Sequence, residues 1–388
     1  MVDLAKLRKA FAELSAVEPR LFSAPGRVNL IGEHTDYNEG FVLPIAANLR
    51  TYVAVGPRSD GQVWVQSVDV NETASFSLNQ HGSSSQTGPK SWVSYIQGMT
   101  HTLSSAGLSL GGANLAISSD VPIGAGLSSS AALEISVGFA LAEMAGLEIS
   151  RLHLARAGQE AEHVFIGTNS GLMDQLTATF AEKNHAMLID CRSFQVTQIP
   201  IEIPRTAIAI CDTRVKHALV NSAYNERCRE CEHAVQLLRK KKPDVRALRD
   251  LDTDDLSLVE DLPEPERRRA RHVVTENERT VQAAQALAAN NPGKLGELMV
   301  ASHESLRDDF EVSCRELDIL FELALGLEGI SGVRMMGGGF GGCTINLVDR
   351  EKLEQFTERM TVGYQQATGL VPVIKVIQAD DGVSELLV

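Results

Sequence analysis

The chain has 388 residues, 44% of them hydrophobic and 22% charged, with a net charge of −14. That length accommodates two domains with ample cores, and the composition excludes a disordered polymer. The negative balance excludes a general nucleic-acid or anionic-membrane binder, because no overall positive field would draw either in, so an anionic substrate needs a locally positive site.

The N-terminal run MVDLAKLRKAFAELSAVEPR interleaves Lys, Arg and Glu with apolar residues, which predicts an amphipathic surface helix rather than a signal peptide. No stretch approaches the roughly eighteen consecutive apolar residues that a membrane span requires. The six cysteines, at 191, 211, 228, 231, 314 and 343, are sparse for this length and predict reduced thiols in the cytoplasm rather than a disulfide framework. Residues 22–56 predict strand, turn and strand, with the polar run Glu33 to Gly40 interrupting an apolar segment; alternation in TYVAVG and in QVWVQSV predicts half-buried strands. Residues 80–91 have the composition of a surface loop, and a helix follows from about Trp92 to Ser105.

The stretch Val121 to Glu134, VPIGAGLSSSAALE, lies between the strand-like ANLAISSDV and the helical AALEISVGFALAEMAG. Gly124 and Gly126 permit backbone conformations in which successive N–H groups converge, and a helix opening at the same point adds unpaired donors and the positive end of its dipole. A phosphate suits that place, although Ser128 or Ser129 could equally serve as a plain N-cap. No Lys follows the glycines, so this is not a P-loop, and the charge of a nucleotide must be met by backbone dipoles, hydroxyls, a metal ion and residues from elsewhere.

A second helix is predicted from Arg151 to about Gly167, then a TNSG turn and LMDQLTATFA, then strands at 186–190, 195–200 and 206–212. Residues 221–328 have helical periodicity almost throughout, which sets the expected domain boundary near residue 205. The tail is mixed: RMMGGGFGGCTINLV with five glycines between Gly337 and Gly342, a helix over 350–368, and the strand PVIKVIQA. The charged cluster 251–272 reads as a solvated loop and helix start.

Several side chains carry chemistry. Glu33, His34 and Asp36 offer donors and acceptors at the close spacing that sugar hydroxyls require, or simply a polar hairpin turn. Asp174 is embedded among apolar residues and needs a cation, a hydrogen-bond partner or a substrate, or else caps the helix that follows. Two residues apart on one helix, Glu160 and Glu162 point about 200° apart, so only one of them can face the serine loop. The glycine cluster reads as a wall that lets backbone approach substrate or the phosphate loop closely. Cys228, Cys231 and His233 lack further ligands for zinc, and no metal is expected there.

Four motifs, APGRVNLIGEHTDYNEG at 24–40, VPIGAGLSSSAALE at 121–134, GLMDQL at 171–176 and MMGGGFGG at 335–342, together resemble the galactokinase family of the GHMP small-molecule kinase superfamily, from about residue 20 to the C-terminus. The resemblance implies an α/β and α+β fold with two domains, 1–205 and 206–388, and the active site in the cleft between them. It implies transfer of a phosphoryl group from MgATP to the anomeric hydroxyl of galactose. Asp174 is then the catalytic base with Arg27 as its partner, and Glu33, His34, Thr35, Asp36 and Tyr224 hold the sugar. Gly124, Ala125, Gly126, Leu127, Ser128, Ser129 and Ser130 cradle ATP, Ser67 borders the nucleotide, and Ser130 with Glu162 binds Mg²⁺. A carboxylate is a weak base for a sugar hydroxyl, so in a loose transition state Asp174 need only orient the hydroxyl and take its proton late. A monomer acting on small molecules, without nucleic-acid or membrane partners, is expected. The rivals are a kinase for another sugar such as N-acetylgalactosamine and a non-catalytic galactose sensor; the intact serine loop, Asp174 and Arg27 weigh against the sensor.

Overall fold

A computed structural model describes residues 2–78, 92–216 and 220–387; the loop expected over 80–91 lies outside them. The elements of the first half are α1 (Leu4–Leu14), β1 (Arg20–Asn29), β2 (Phe41–Val42), β3 (Pro44–Arg58), β4 (Gln62–Ser67), β5 (Glu72–Ser77), α2 (Trp92–Ser105), β6 (Gly112–Ser119), α3 (Ser129–Met144), α4 (Arg151–Ala161), α5 (Met173–Phe180), β7 (His185–Asp190) and β8 (Gln195–Pro200). Those of the second are β9 (Thr206–Lys216), α6 (Val220–Leu238), α7 (Leu256–Glu260), α8 (Glu266–Ala288), α9 (Pro292–Asp308), α10 (Arg315–Leu325), β10 (Ile330–Met336), β11 (Gly341–Asp349), α11 (Leu353–Thr368), β12 (Val373–Ile377) and β13 (Ser384–Glu385).

The first sheet has the order β13-β1-β3-β6-β4-β5, antiparallel except for the β4–β6 pair. Helix α1 starts at an Asp3 cap, whose carboxylate accepts from the N–H groups of Ala5 and Lys6, and buries Leu7 and Phe11, one helical turn apart. Helix α3 packs on β1 and β3 and is buried through most of its length, which explains why its sequence is apolar on every side. The β6–α3 connection is the glycine-serine stretch, so the sheet delivers that loop to one end of the molecule.

The second sheet is antiparallel, in the order β10-β11-β9-β12, and a third pairs β2, β7 and β8. The two larger sheets share a core: Val28, Leu30, Ile45 and Leu127 of the first half meet Met299, Met336, Ile345 and Leu347 in one apolar cluster. The chain's end also returns to the beginning. Strand β13 pairs with β1, and the Arg50 guanidinium donates to Asp380 Oδ2 at 3.0 Å and to the carbonyls of Asp381 and Gly382 at 2.7 and 2.8 Å. The charged cluster 251–272 is only partly the solvated face that its composition suggests. Arg269 is 2% exposed and reaches Glu230 at 2.8 Å and Glu311 at 2.7 Å, and His272 is fully buried. Burial of the Arg269 charge is tolerated because it finds carboxylate partners, and His272, neutral through burial, is held by the Ser305 hydroxyl and the Glu33 carbonyl.

Candidate active site

A cavity of about 400 Å³ lies where the glycine-serine loop, the polar turn after β1, the start of α5, the start of α6 and the glycine cluster before β11 converge. Gly124 and Gly126 have φ of 74° and 77°, left-handed values that cost a glycine nothing. Ser128, at φ 56°, adopts the same region with a side chain and makes no capping bond to α3. The plain N-cap alternative is therefore not realised; the Ser128 hydroxyl donates to Asp174 Oδ2 instead. The first N–H groups of α3 remain directed out of the helix end, as an anion requires. Backbone approach on both sides depends on glycine. A Cβ on Gly26 would stand 2.6 Å from the Leu127 carbonyl, which accepts the Arg27 N–H at 3.0 Å, and Gly337 runs beside the Gly126 carbonyl at φ 79°, a conformation that a side chain would strain. The glycine cluster is thus a wall against the loop, as expected.

Asp174 sits in the first turn of α5 rather than at its cap, which is Leu172. Arg27, on β1, donates Nε to Asp174 Oδ1 at 2.8 Å and Nη2 to Oδ2 at 3.3 Å, while its Nη1 donates to the Gly126 carbonyl. The Arg27 side chain is 7% exposed and that of Asp174 28%, so the carboxylate faces the cavity and the guanidinium supports it from behind. The bidentate fork fixes the orientation of the carboxylate as well as attracting it.

On the opposite wall, the polar turn is built from buried side chains. Glu33 Oε1 accepts from the Gly337 N–H at 2.6 Å and lies 3.2 Å from Arg334 Nη2, and its Oε2 accepts from Asn29 Nδ2 at 2.7 Å. His34, at φ 62°, is packed between Phe310 and Tyr224, at centroid distances of 4.6 and 5.4 Å. Burial, then the positive charges around it, push its pKa well below the ordinary value, so the ring is neutral. Asp36 fits against Gly171, where a Cβ would stand 1.9 Å from Asp36 Oδ2. Burial first, and then the neighbouring Asp174, raise its pKa to about 7. Tyr224 closes this side over Gly338.

Glu162 begins a π-helical turn, Glu162–Ile166, that extends α4 and carries the side chain to the cavity, whereas Glu160 is solvent-exposed. Its Oε2 accepts from the Ser170 hydroxyl at 2.5 Å, and Ser130 is close enough to bond it as well. Burial raises the Glu162 pKa, with the negative charge of Asp174 adding to it and the Ser170 and Ser130 hydroxyls opposing it. Two hard oxygen donors at the loop are what a Mg²⁺ ion that keeps most of its waters takes from a protein.

Three predicted residues stand apart from this cavity. Thr35 is buried, its hydroxyl 2.9 Å from the Gly32 carbonyl and 2.6 Å from that of Phe41, so it braces the turn from within. Ser67 ends β4, beside Glu72 and Ile117, and does not line the cavity. Ala125 turns its methyl into the shared core and offers the loop only backbone. Conversely, Gly171, Tyr95 and Ile123 line the cavity without having been assigned to it; Gly171 adjoins LMDQL and was the one with a legible signal. In α6, Cys228 Sγ donates to the Asn169 carbonyl at 3.7 Å and His233 Nδ1 lies 2.6 Å from Glu266.

Fold and site together define a class. Family models for the GHMP kinase N-terminal and C-terminal domains match residues 94–182 and 283–364, and the structure of a mevalonate kinase, 18% identical, superposes with a TM-score of 0.67 over 93% of this chain and 99% of that one. A galactokinase galactose-binding signature matches residues 9–57. The galactokinase of Roseiflexus sp. (strain RS-1) is 44% identical over all of this chain and 98% of its own, and that of Chloroflexus aurantiacus 47% over 95% and 94%. Lactococcus lactis galactokinase complexed with galactose is 36% identical, with a TM-score of 0.93 over 99% of this chain and 100% of that one. The chain belongs to the galactokinase family, ATP-dependent sugar kinases with the GHMP fold.

Proposed function

We propose that the chain transfers the γ-phosphoryl group of MgATP to the anomeric hydroxyl of D-galactose, giving galactose 1-phosphate and ADP. One observation carries this reading: Asp174, clamped by Arg27 and by the Ser128 hydroxyl, stands between the mouth of α3 and the wall that holds Glu33, His34, Asp36 and Tyr224. A sugar seated on that wall presents a hydroxyl to Asp174, which orients it and accepts its proton as the bond to phosphorus forms. Arg27 offsets negative charge developing between the two walls, and the backbone N–H groups of Gly126 to Ser130 with the α3 dipole receive the phosphates. Ser130 and Glu162 would hold Mg²⁺, which when bound neutralises charge on the phosphoryl oxygens. Asp36, near neutral charge balance at about pH 7, can donate or accept toward a sugar hydroxyl.

We further divide the chain at residue 205/206, where β9 opens the second sheet, with the last residues returned to the first by β13. Cytoplasmic residence, which six free thiols fit, and a monomeric state are the companion readings; no helix among the described residues is long and apolar enough to cross a membrane. A coupled assay of ADP release over a panel of sugars tests the activity. D-galactose should give the highest kcat/KM; absence of turnover with every sugar, or a preference for N-acetylgalactosamine, refutes the reading.

A further inference from the structure

The mechanism above uses His34 but leaves open which of its nitrogens carries the proton. The ring is fixed on all sides. Its backbone occupies the left-handed region at φ 62°, and its faces meet Phe310 and Tyr224. Nδ1 lies 2.9 Å from the Tyr37 hydroxyl, and the Tyr37 ring stands edge-on to both His34 and Tyr224, at 5.9 and 5.6 Å. Nε2 is buried from water and meets no partner at hydrogen-bond geometry among the described residues, although the ring lines the cavity and the backbone of Gly338, another lining residue, is near enough to act on it.

A neutral imidazole has one donor nitrogen and one acceptor, and the hydrogen bond at one nitrogen decides the state of the other. The phenol O–H is a stronger donor than an imidazole N–H, and the imidazole lone pair a stronger acceptor than a phenolic oxygen. The Tyr37–His34 bond therefore runs from the hydroxyl to Nδ1. We propose that Tyr37 is a positioning residue for sugar recognition: by donating to Nδ1 it places the His34 proton on Nε2, making that nitrogen a donor reserved for a hydroxyl oxygen of the bound sugar. Burial keeps both members neutral near pH 7, raising the Tyr37 pKa well above its ordinary value and lowering that of His34. A buried N–H without a well-aligned partner is costly, and a hydroxyl of a sugar entering the cavity is the group that relieves it. The recognition step rests on the galactose reading; the assignment of the tautomer does not.

The test is ¹⁵N-histidine NMR of the full chain without sugar, with the His34 signal assigned by its loss in His34→Asn. The wild type should show His34 protonated at Nε2. Tyr37→Phe keeps the ring and its packing but removes the O–H. It should bring in the Nδ1-protonated form and raise the galactose KM about tenfold, with kcat and the ATP KM within about twofold of wild type. A wild-type His34 protonated at Nδ1 overturns the proposal, as does a Tyr37→Phe variant with wild-type tautomer or wild-type galactose KM. Should Tyr37→Phe fail to fold, the wild-type spectrum still decides the tautomer. Should the wild type fail to phosphorylate galactose, the galactose reading falls while the spectrum still answers for Tyr37.

Discussion

The two walls of the cavity are made of different materials. The wall at the mouth of α3 is backbone and small hydroxyls: two left-handed glycines, a left-handed Ser128, and the helix end, with Ile123 at 67% exposure beside them. The wall facing it is side chain: Glu33 and His34, 2% and 4% exposed, each held by partners from distant parts of the chain. A phosphate chain needs many convergent donors and little shape, which backbone N–H groups supply at no cost in side-chain entropy. A sugar needs stereochemistry, and only side chains locked by burial and hydrogen bonds discriminate one hydroxyl arrangement from another.

The largest expected effect is at the joint between the walls. Asp174→Asn should lower kcat by about 10²–10⁴-fold while galactose binding, measured by calorimetry, stays near wild type; near-normal turnover removes Asp174 from the proton transfer. The next tests break one wall and spare the other. Gly171→Ala places a Cβ 1.9 Å from Asp36 Oδ2 and should raise the galactose KM by about 10–100-fold with little change in the ATP KM. Ser130→Ala should do the converse, raising the magnesium concentration for half-maximal rate about tenfold without moving the galactose KM. If both variants weaken both substrates alike, the division of labour is wrong.

The smallest effect is on stability. Asp36 is raised from 3.8 to about 7 in the folded chain, so between those values the folded state holds a proton that the unfolded state has lost. Its contribution is complete below the lower value and disappears as pH rises through about 7. Asp36→Asn stays neutral throughout. The melting temperature of the wild type relative to this variant should therefore fall between about pH 4 and pH 7, and a constant difference refutes the burial of Asp36 as its cause.

Much of this was legible beforehand because local rules carry it. Gly124, Gly126 and the serine run announce a loop entering a helix, and alternation in QVWVQSV announces β4. The short β5 and β13 were not seen: β13 has only two residues, and β5 is an edge strand with no buried residue to mark a face, so both depend on the strands that they join. Thr35 could not be told from its neighbours in the polar turn, because which side of a turn faces a cavity is decided by what packs on the other. Glu162 prevails over Glu160 as the alternation argument allowed, yet its reach to the loop comes from a π-helical turn that the helical period does not foresee.

The order of residues alone determined the local elements and the chemical inventory, a backbone cradle followed by a helix, a carboxylate in apolar surroundings, a run of polar residues between strands, because sterics and hydrogen bonding over a few residues suffice for those. Which of these groups meet was decided only by the fold. Arg27 reaches Asp174 across 147 positions and Gly337 reaches Glu33 across 304, and such pairings exist only because burying the shared apolar core brings both halves of the chain to one cavity.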